Sequence, residues 1–436
     1  PHGANLTVER SVCYQVWIAM KSTTLSEFQN REAERPNFTF GVRPPTIMEI
    51  AARRPFGKPQ RSPVLDNYSR SPVPIFRNCA TITRCTSWVD FRLHGVLFDF
   101  LKMIDPSDRQ IEAASAELRA GNLVAMPTET VYGLAANAWD ETAVSKIFEA
   151  KGRPATNPLI VHIYDWTFLD QCAEVPLATE IDQAMKQLDA FWPGPLTLIL
   201  PKSQRISSLV TAGRETVAVR VPRHPVARKL LKSCNFPVAA PSANRSTAVS
   251  PTTAQHVDDE LGEQVAVILD GGPSELGLES TILDLTESPP RILRHGGVTA
   301  ESLAKALHLS VDVWTRGTDK EVETAPSGHR APGQMKVHYS PRTPVRLKSD
   351  WIPVADELVG WIRFHVDTSA EGPEASIVRI LSNHGDLKEI ARRLFATLRE
   401  LDQLDLDLIV IDTCEEQGMG RAIMDRIRRA SARRDV

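Results

Sequence analysis

The chain has six cysteines, Cys13, Cys79, Cys85, Cys172, Cys234 and Cys414, and no Cys-x-x-Cys pair among them. This scatter argues against a zinc site or a disulfide framework and for a reducing, cytoplasmic setting. There is no apolar run of about 18 residues, so a membrane-spanning helix is not expected. There is no Gly-x-x-x-x-Gly-Lys-Ser/Thr motif, which excludes P-loop nucleotide chemistry in its usual form. No Ser-His-Asp or Cys-His pairing stands out. Any reaction would therefore rest on positioning and charge stabilisation more than on a protein nucleophile. Nor is there an overall charge excess: the net charge is -3, and no basic surplus advertises nucleic-acid binding.

What is present is ordinary soluble-protein composition, 42% apolar and 24% charged, over 436 residues. That length exceeds the comfortable size of one hydrophobic core, so at least two domains are expected. Residues 1 to 102 stand apart. They lack a sustained period and carry Lys plus Arg 14 against Asp plus Glu 8, a surplus of +6 that leaves -9 on residues 103 to 436. The segment reads either as a targeting or regulatory extension or as an over-extended reading frame with Met103 as the natural start, and it is expected to be dispensable for the chemistry.

From Met103 the pattern becomes regular. Ser107 and Gln110 form a capping box, and Ile111, Ala114 and Leu118 supply a helical stripe that Gly121 closes. Short apolar strands then alternate with helices to about residue 313. The strands read "NLVAMPT", "PLIVHIY", "PLTLILP", "TVAVRVP", "PVAAPSA", "VAVILDG", "STILDL" and "RILRHG". The rhythm predicts an α/β domain, 103 to 313, on one large twisted sheet. The strands at 195 to 201 and 216 to 222 have no evident helix between them, so the sheet should be mixed. A polar, Gly- and Pro-rich linker, 314 to 344, leads to a smaller Rossmann-like α/β domain, 345 to 436, without a Gly-x-Gly-x-x-Gly turn.

Polar residues gather at strand ends, where open α/β sheets bind ligands. In "MPTETVYGLAANAWD" a strand should run into Pro127 and a helix should start near Asp140. Thr128, Glu129, Thr130, Tyr132 and Gly133 would then lie at an exposed strand end. In "AKGRPATNPLIVH", Lys151, Arg153 and Asn157 suit a phosphate chain, or else a solvated helix C-terminus. Arg220 lies in an otherwise apolar strand on the same face as Thr216, for a ligand or a structural ion pair. In "AAPSANRSTAVSPT", Ser250 reads as an N-cap and Pro251 as a first helical residue, with Ser242 and Asn244 nearby. An anion site or plain turn chemistry would both explain that stretch. Ser280, Thr281 and Arg294 stand at further strand boundaries.

Taken in order, "PTETVYGLAANA", "AKGRPATNPLIVH", "FWPGPLTLIL", "VAVRVPRHP", "VAAPSANRSTAVSPT" and "LESTILDL" resemble the YrdC-type threonylcarbamoyl-AMP synthases. "APGQMKVHYSPRTPV" and the smaller unit resemble the two-domain form of that family. The resemblance implies that L-threonine, bicarbonate and ATP, with Mg²⁺, give threonylcarbamoyl-AMP and pyrophosphate, the first step toward threonylcarbamoyladenosine in tRNA. It implies a threonine pocket of Thr130, His162, Arg220, Ala240 and Ser280. Arg153, Asn157, Thr216, Ser242, Ser250 and Arg294 would surround ATP, with Lys151 near the phosphates and Tyr339 reaching back over the nucleotide. Lys151, Arg153 and Arg220 would carry the catalytic charge. Glu129 and Tyr132 receive no role, although Tyr132 could simply pack. Thr247 departs from the family's usual glycine. Two other readings stay open: an RNA-binding, translation-associated module using Lys151, Arg153 and Arg220 on phosphates, and carbamoyl transfer, whose relatives carry Cys-x-x-Cys modules absent here.

Overall fold

The computed structural model describes residues 103–104, 107–315, 331–333, 335, 337–366 and 376–432. The chain divides into units 1–81 and 82–436, and everything described belongs to the second. The expectations for residues 1 to 102 lie outside the described residues, as does most of the linker.

Ten strands form the large sheet: β1 (Met103–Ile104), β2 (Val124–Met126), β3 (Gly133–Asn137), β4 (Ile160–His162), β5 (Leu196–Pro201), β6 (Thr216–Arg220), β7 (Val238–Ala239), β8 (Val267–Leu269), β9 (Thr281–Asp284) and β10 (Arg291–Arg294). Their order is β1-β8-β2-β3-β7-β4-β6-β5-β9-β10. Parallel and antiparallel pairs are mixed through it, with three antiparallel pairs in succession from β2 to β4. The central β4 pairs parallel with β6 and antiparallel with β7, while β5 pairs antiparallel with β6. The mixed sheet is as expected, but its reason is corrected: a single helical turn, Ser208–Thr211, does separate β5 from β6. The chain also turns back once more than expected near its first motif, because β3 follows Tyr132 before the next helix.

Helix boundaries follow local chemistry. Ser107 accepts the capping-box role, its backbone N-H donating to Gln110 Oε1 at 3.1 Å. Asp140 caps Glu141–Lys151 through Thr142 N at 2.9 Å, and Gly152 ends that helix in the left-handed region. The helix expected to begin at Ser250 and Pro251 begins instead at Ala254, capped by Thr253. The Ser250 hydroxyl is taken by a carboxylate, Glu279, and Pro251 O is taken by Tyr132 N. With Ser250 Oγ directed at Glu279 and the Pro251 carbonyl engaged by Tyr132, the helix starts where the Thr253 hydroxyl accepts His256 N.

The smaller unit has four parallel strands, β11 (Val345–Leu347), β12 (Val359–Arg363), β13 (Ile377–Ile380) and β14 (Leu408–Ile411), in the order β11-β14-β12-β13. Helix Leu387–Leu401 buries Ile390, Leu394, Phe395, Leu398 and Leu401, a stripe at helical spacing. The C-terminal helix Met419–Ser431 buries Met419, Ala422, Ile423, Ile427 and Ala430 in the same way. The larger unit meets the helix Leu387–Leu401 at Gly277. A Cβ there would lie 2.5 Å from the Arg392 carbonyl oxygen, so glycine is what lets the two backbones touch.

Candidate functional site: a buried cationic chamber

The turn after β2 comes first. Residues Thr128 to Tyr132 are not at an exposed edge, as the sequence suggested; Thr128, Glu129, Thr130 and Tyr132 are all buried. Thr128 Oγ1 receives the N-H groups of Thr130 and Val131, both at 3.2 Å, which closes the turn by side-chain chemistry. Its partner across the sheet is Arg220, at the end of β6. Arg220 Nη2 donates to Glu129 Oε1 at 2.6 Å, Nη1 to Thr130 Oγ1 at 2.9 Å and Nε to Gly194 O at 3.3 Å. Glu129 Oε2 in turn accepts Arg223 N at 3.0 Å and His224 N at 3.3 Å. Burial alone would push the Glu129 carboxyl up; the charge and hydrogen bond of Arg220, with the backbone N-H groups, outweigh it and hold it down. Glu129 and Tyr132 thus acquire structural accounts. Glu129 neutralises Arg220, and the Tyr132 hydroxyl bridges Gly272 O at 2.8 Å and Gly271 N at 3.1 Å.

The opposite wall comes from the segment after Lys151 and from β9 and β10. Arg153 bonds two carbonyls, Asn157 O at 3.1 Å and Pro158 O at 2.7 Å. Arg294 bonds Ser280 O at 3.0 Å, Ser280 Oγ at 3.1 Å and Pro332 O at 3.3 Å. Among the described residues neither guanidinium bonds a carboxylate, although both are buried. Burial, then Arg294, pushes Arg153 below its ordinary value. Burial likewise opposes the charge of Arg294. His162 sits between these walls at the end of β4. Burial, then Arg220, pushes its imidazole down to about 3, so it is neutral, and its Nδ1 has no partner among the described residues.

The linker closes the top. Pro332, Gly333, His338 and Tyr339 line the same cavity as Thr130, Arg153, His162, Arg220, Ala240, Ser242, Ser280 and Arg294. The Tyr339 ring stacks on Phe395 with centroids 5.3 Å apart, while its hydroxyl is buried with no hydrogen-bond partner among the described residues. About 40 Å³ of open space remains. Polar atoms left unbonded in a buried pocket mark a place built for something else to bond.

Nine of the thirteen residues to which the resemblance gave a role therefore line one chamber. Lys151, Asn157, Thr216 and Ser250 do not line it. Lys151 Nζ donates to Ser242 O at 2.6 Å and to Asn244 O, so it shapes the Ser242 loop from behind. Burial, then Arg153, pushes its ammonium well below the ordinary value. Asn157 Nδ2 meets Met335 Sδ at 3.5 Å, and its Oδ1 is unbonded among the described residues. Ser250 Oγ donates to Glu279 Oε1 at 2.6 Å, one step behind the wall. Thr216 opens β6, four residues or roughly 13 Å of strand from Arg220. Sequence reasoning missed Glu279, His338 and Arg426. Arg426 left a readable trace, because Ala422, Ile423, Arg426, Ile427 and Ala430 share one helical face and only the arginine is polar.

Fold and chamber together define a class: a two-sheet α/β protein whose large mixed sheet encloses an anion-hungry chamber capped by an interdomain segment. Residues 116–296 match the Sua5/YciO/YrdC family, described as telomere recombination. Residues 298–432 match the threonylcarbamoyl-AMP synthase C-terminal domain. A threonylcarbamoyl-AMP synthase of Pyrococcus abyssi is 42% identical over 346 residues, 75% of this chain and 95% of that protein. One of Bacillus subtilis is 40% identical over 348 residues, covering 78% and 97%. A crystal structure of P. abyssi Sua5 complexed with L-threonine superimposes with a TM-score of 0.64 at 40% identity, covering 74% of this chain and 95% of the other. The chain belongs to the threonylcarbamoyl-AMP synthase family.

Proposed function

We propose that the chamber joins L-threonine, bicarbonate and ATP into threonylcarbamoyl-AMP with release of pyrophosphate, and that the product serves threonylcarbamoyladenosine formation in tRNA. The observation that carries the site assignment is the pair Arg153 and Arg294, buried and, among the described residues, hydrogen-bonded to no carboxylate. Buried charges are normally paired, so an anionic ligand is the missing partner. The threonine amine adds to bicarbonate carbon with loss of water, a carbamate oxygen attacks the α-phosphorus, and the bond to pyrophosphate breaks. Substrates supply nucleophile and leaving group, while the chain positions them and offsets charge.

Arg153 and Arg294 face the phosphates in this reading, with Ser242 on the loop that Lys151 shapes. Arg220 keeps two N-H groups beyond those given to Glu129, Thr130 and Gly194, and these meet the threonine carboxylate. Thr130, Ala240 and Ser280 complete that pocket, and neutral His162 bonds the amino acid. Asn157, Thr216 and Ser250 act on the nucleotide only through the segments they anchor. The chamber does not fit a protein-held Mg²⁺. Its nearby carboxylates, Glu129 and Glu279, have both oxygens engaged, and no cluster of metal-ligating side chains occurs among the described residues. The chamber's 40 Å³ is far below the roughly 300 Å³ or more of a ligand pocket, so the linker must lift for substrates to enter.

The RNA-binding reading loses its basis here, because its arginines are enclosed and those of the C-terminal helix are ion-paired to Glu301, Glu279, Glu416 and Asp425. Purified protein should release pyrophosphate only when threonine, bicarbonate and ATP are all present. Equal release with threonine or bicarbonate omitted would refute the reaction.

A further inference from the structure

The smaller domain puts one side chain behind the chamber wall. Arg426, fully buried on the C-terminal helix, donates from Nε to Glu279 Oε2 at 2.8 Å and from Nη1 to Asp425 Oδ2 at 2.6 Å. Its guanidinium also lies over the Tyr339 ring, 5.2 Å from the centroid. Glu279 is the acidic side chain among the described residues that line the chamber. It therefore sits where a triphosphate would bring several negative charges.

Without compensation that carboxylate would repel the nucleotide. It cannot escape by taking a proton. Burial would push it up, but Arg426, then Arg294 and the Ser250 hydroxyl, hold it down at about 2. Arg294 stands on the same wall and, in the proposed reaction, is needed by the phosphates. Arg426 is the cation that remains to answer Glu279 when Arg294 is engaged. Asp425 offsets part of its charge but also serves Arg429 Nε at 2.8 Å.

We propose that Arg426 is a positioning residue for ATP: the smaller domain neutralises Glu279 from behind and seats Tyr339, which makes the chamber able to accept a triphosphate. This rests on the reaction assigned above. Its consequence is specific to one substrate, because threonine meets the Arg220 side of the chamber and carries no comparable negative charge.

The test is a charge-neutralisation double-mutant cycle read as separate KM values. Arg426→Met should raise the KM for ATP about tenfold or more, since removing one partner of a buried pair exposes the other as an uncompensated charge. The KM for threonine should change by less than about threefold. Adding Glu279→Gln should bring the KM for ATP back to within about threefold of the parent. A purely structural Arg426 would not be rescued by neutralising Glu279. Should the methionine variant fail to fold, Arg426→Lys and Arg426→Gln decide the matter, the lysine form keeping the lower KM for ATP. An unchanged KM for ATP in Arg426→Met, a double variant no better than the single, or equal values for Lys and Gln would overturn the proposal. ATP affinity is also measured by equilibrium binding without threonine or bicarbonate. Loss of that affinity in Arg426→Met, in a protein that releases no threonine-dependent pyrophosphate, would count against the reaction and still support the role of Arg426.

Discussion

At the scale of single residues, the site is governed by which buried charges have partners. Arg220 was legible as a polar intruder in an apolar strand, and both a ligand and an ion pair fitted it. The structure supplies the ion pair with Glu129, at 2.6 Å with side chains 4% and 2% exposed. The sequence could not assign Glu129, since nothing in local spacing says that residues 91 positions apart will touch. Glu129→Gln should destabilise the fold by about 3 kcal/mol or more in chemical denaturation, because it strands a buried cation. Stability equal to the parent's would show that Arg220 is compensated elsewhere. Thr247 is the second case. It adopts φ 69, the left-handed region that disfavours a β-branched side chain, and its carbonyl receives Ser340 N at 2.9 Å. Thr247→Gly should raise stability by about 1 kcal/mol, relief of the left-handed strain exceeding the added backbone entropy. A drop in stability would mean the threonine side chain holds the loop.

Among the elements, the linker segment 331 to 340 links sequence to function most directly. The family resemblance placed its Tyr339 back over the nucleotide. The described part bonds both ways: Arg429 Nη1 donates to Met335 O at 2.6 Å, and Arg294 reaches Pro332 O. Tyr339→Ala should lower product yield several-fold while the large sheet stays folded, through loss of water exclusion around a hydrolysable intermediate. The linker should also become less sensitive to protease when ATP and threonine are both bound. Cleavage unaffected by ligands, together with full yield from the variant, would reduce the segment to a tether. The start of the helix at Ala254 was illegible for a physical reason. Ser250 Oγ is aimed at Glu279, 29 residues away, by the charge-assisted bond that it donates there, and spacing along the chain gives no sign of that partner.

On the scale of the whole molecule, strand rhythm and the ordered motifs made the two-sheet α/β plan readable, whereas the coupling between the sheets was not. That coupling runs through long-range charge pairs: Arg426 with Glu279, Arg421 with Glu301, and Arg399 with Glu260. Glu279 is held down at about 2 against an ordinary value of 4.5. Its contribution to stability is therefore complete above pH about 4.5 and is lost as pH falls through about 2. Hydrogen exchange at the contact between the C-terminal helix and the 279–281 segment should accelerate across that window, and the acceleration should vanish in Arg426→Met. Protection that stays constant from pH 4.5 to 2 would show that the pair does not hold the domains together.

The central claim is that one chamber assembles three substrates. Its most direct measurement is mass spectrometry of the product formed from ¹³C-bicarbonate, L-threonine and ATP. The account predicts a species containing threonine, AMP and one ¹³C, formed one for one with pyrophosphate. Pyrophosphate released without that labelled adenylate, or an adenylate lacking the bicarbonate carbon, would contradict it.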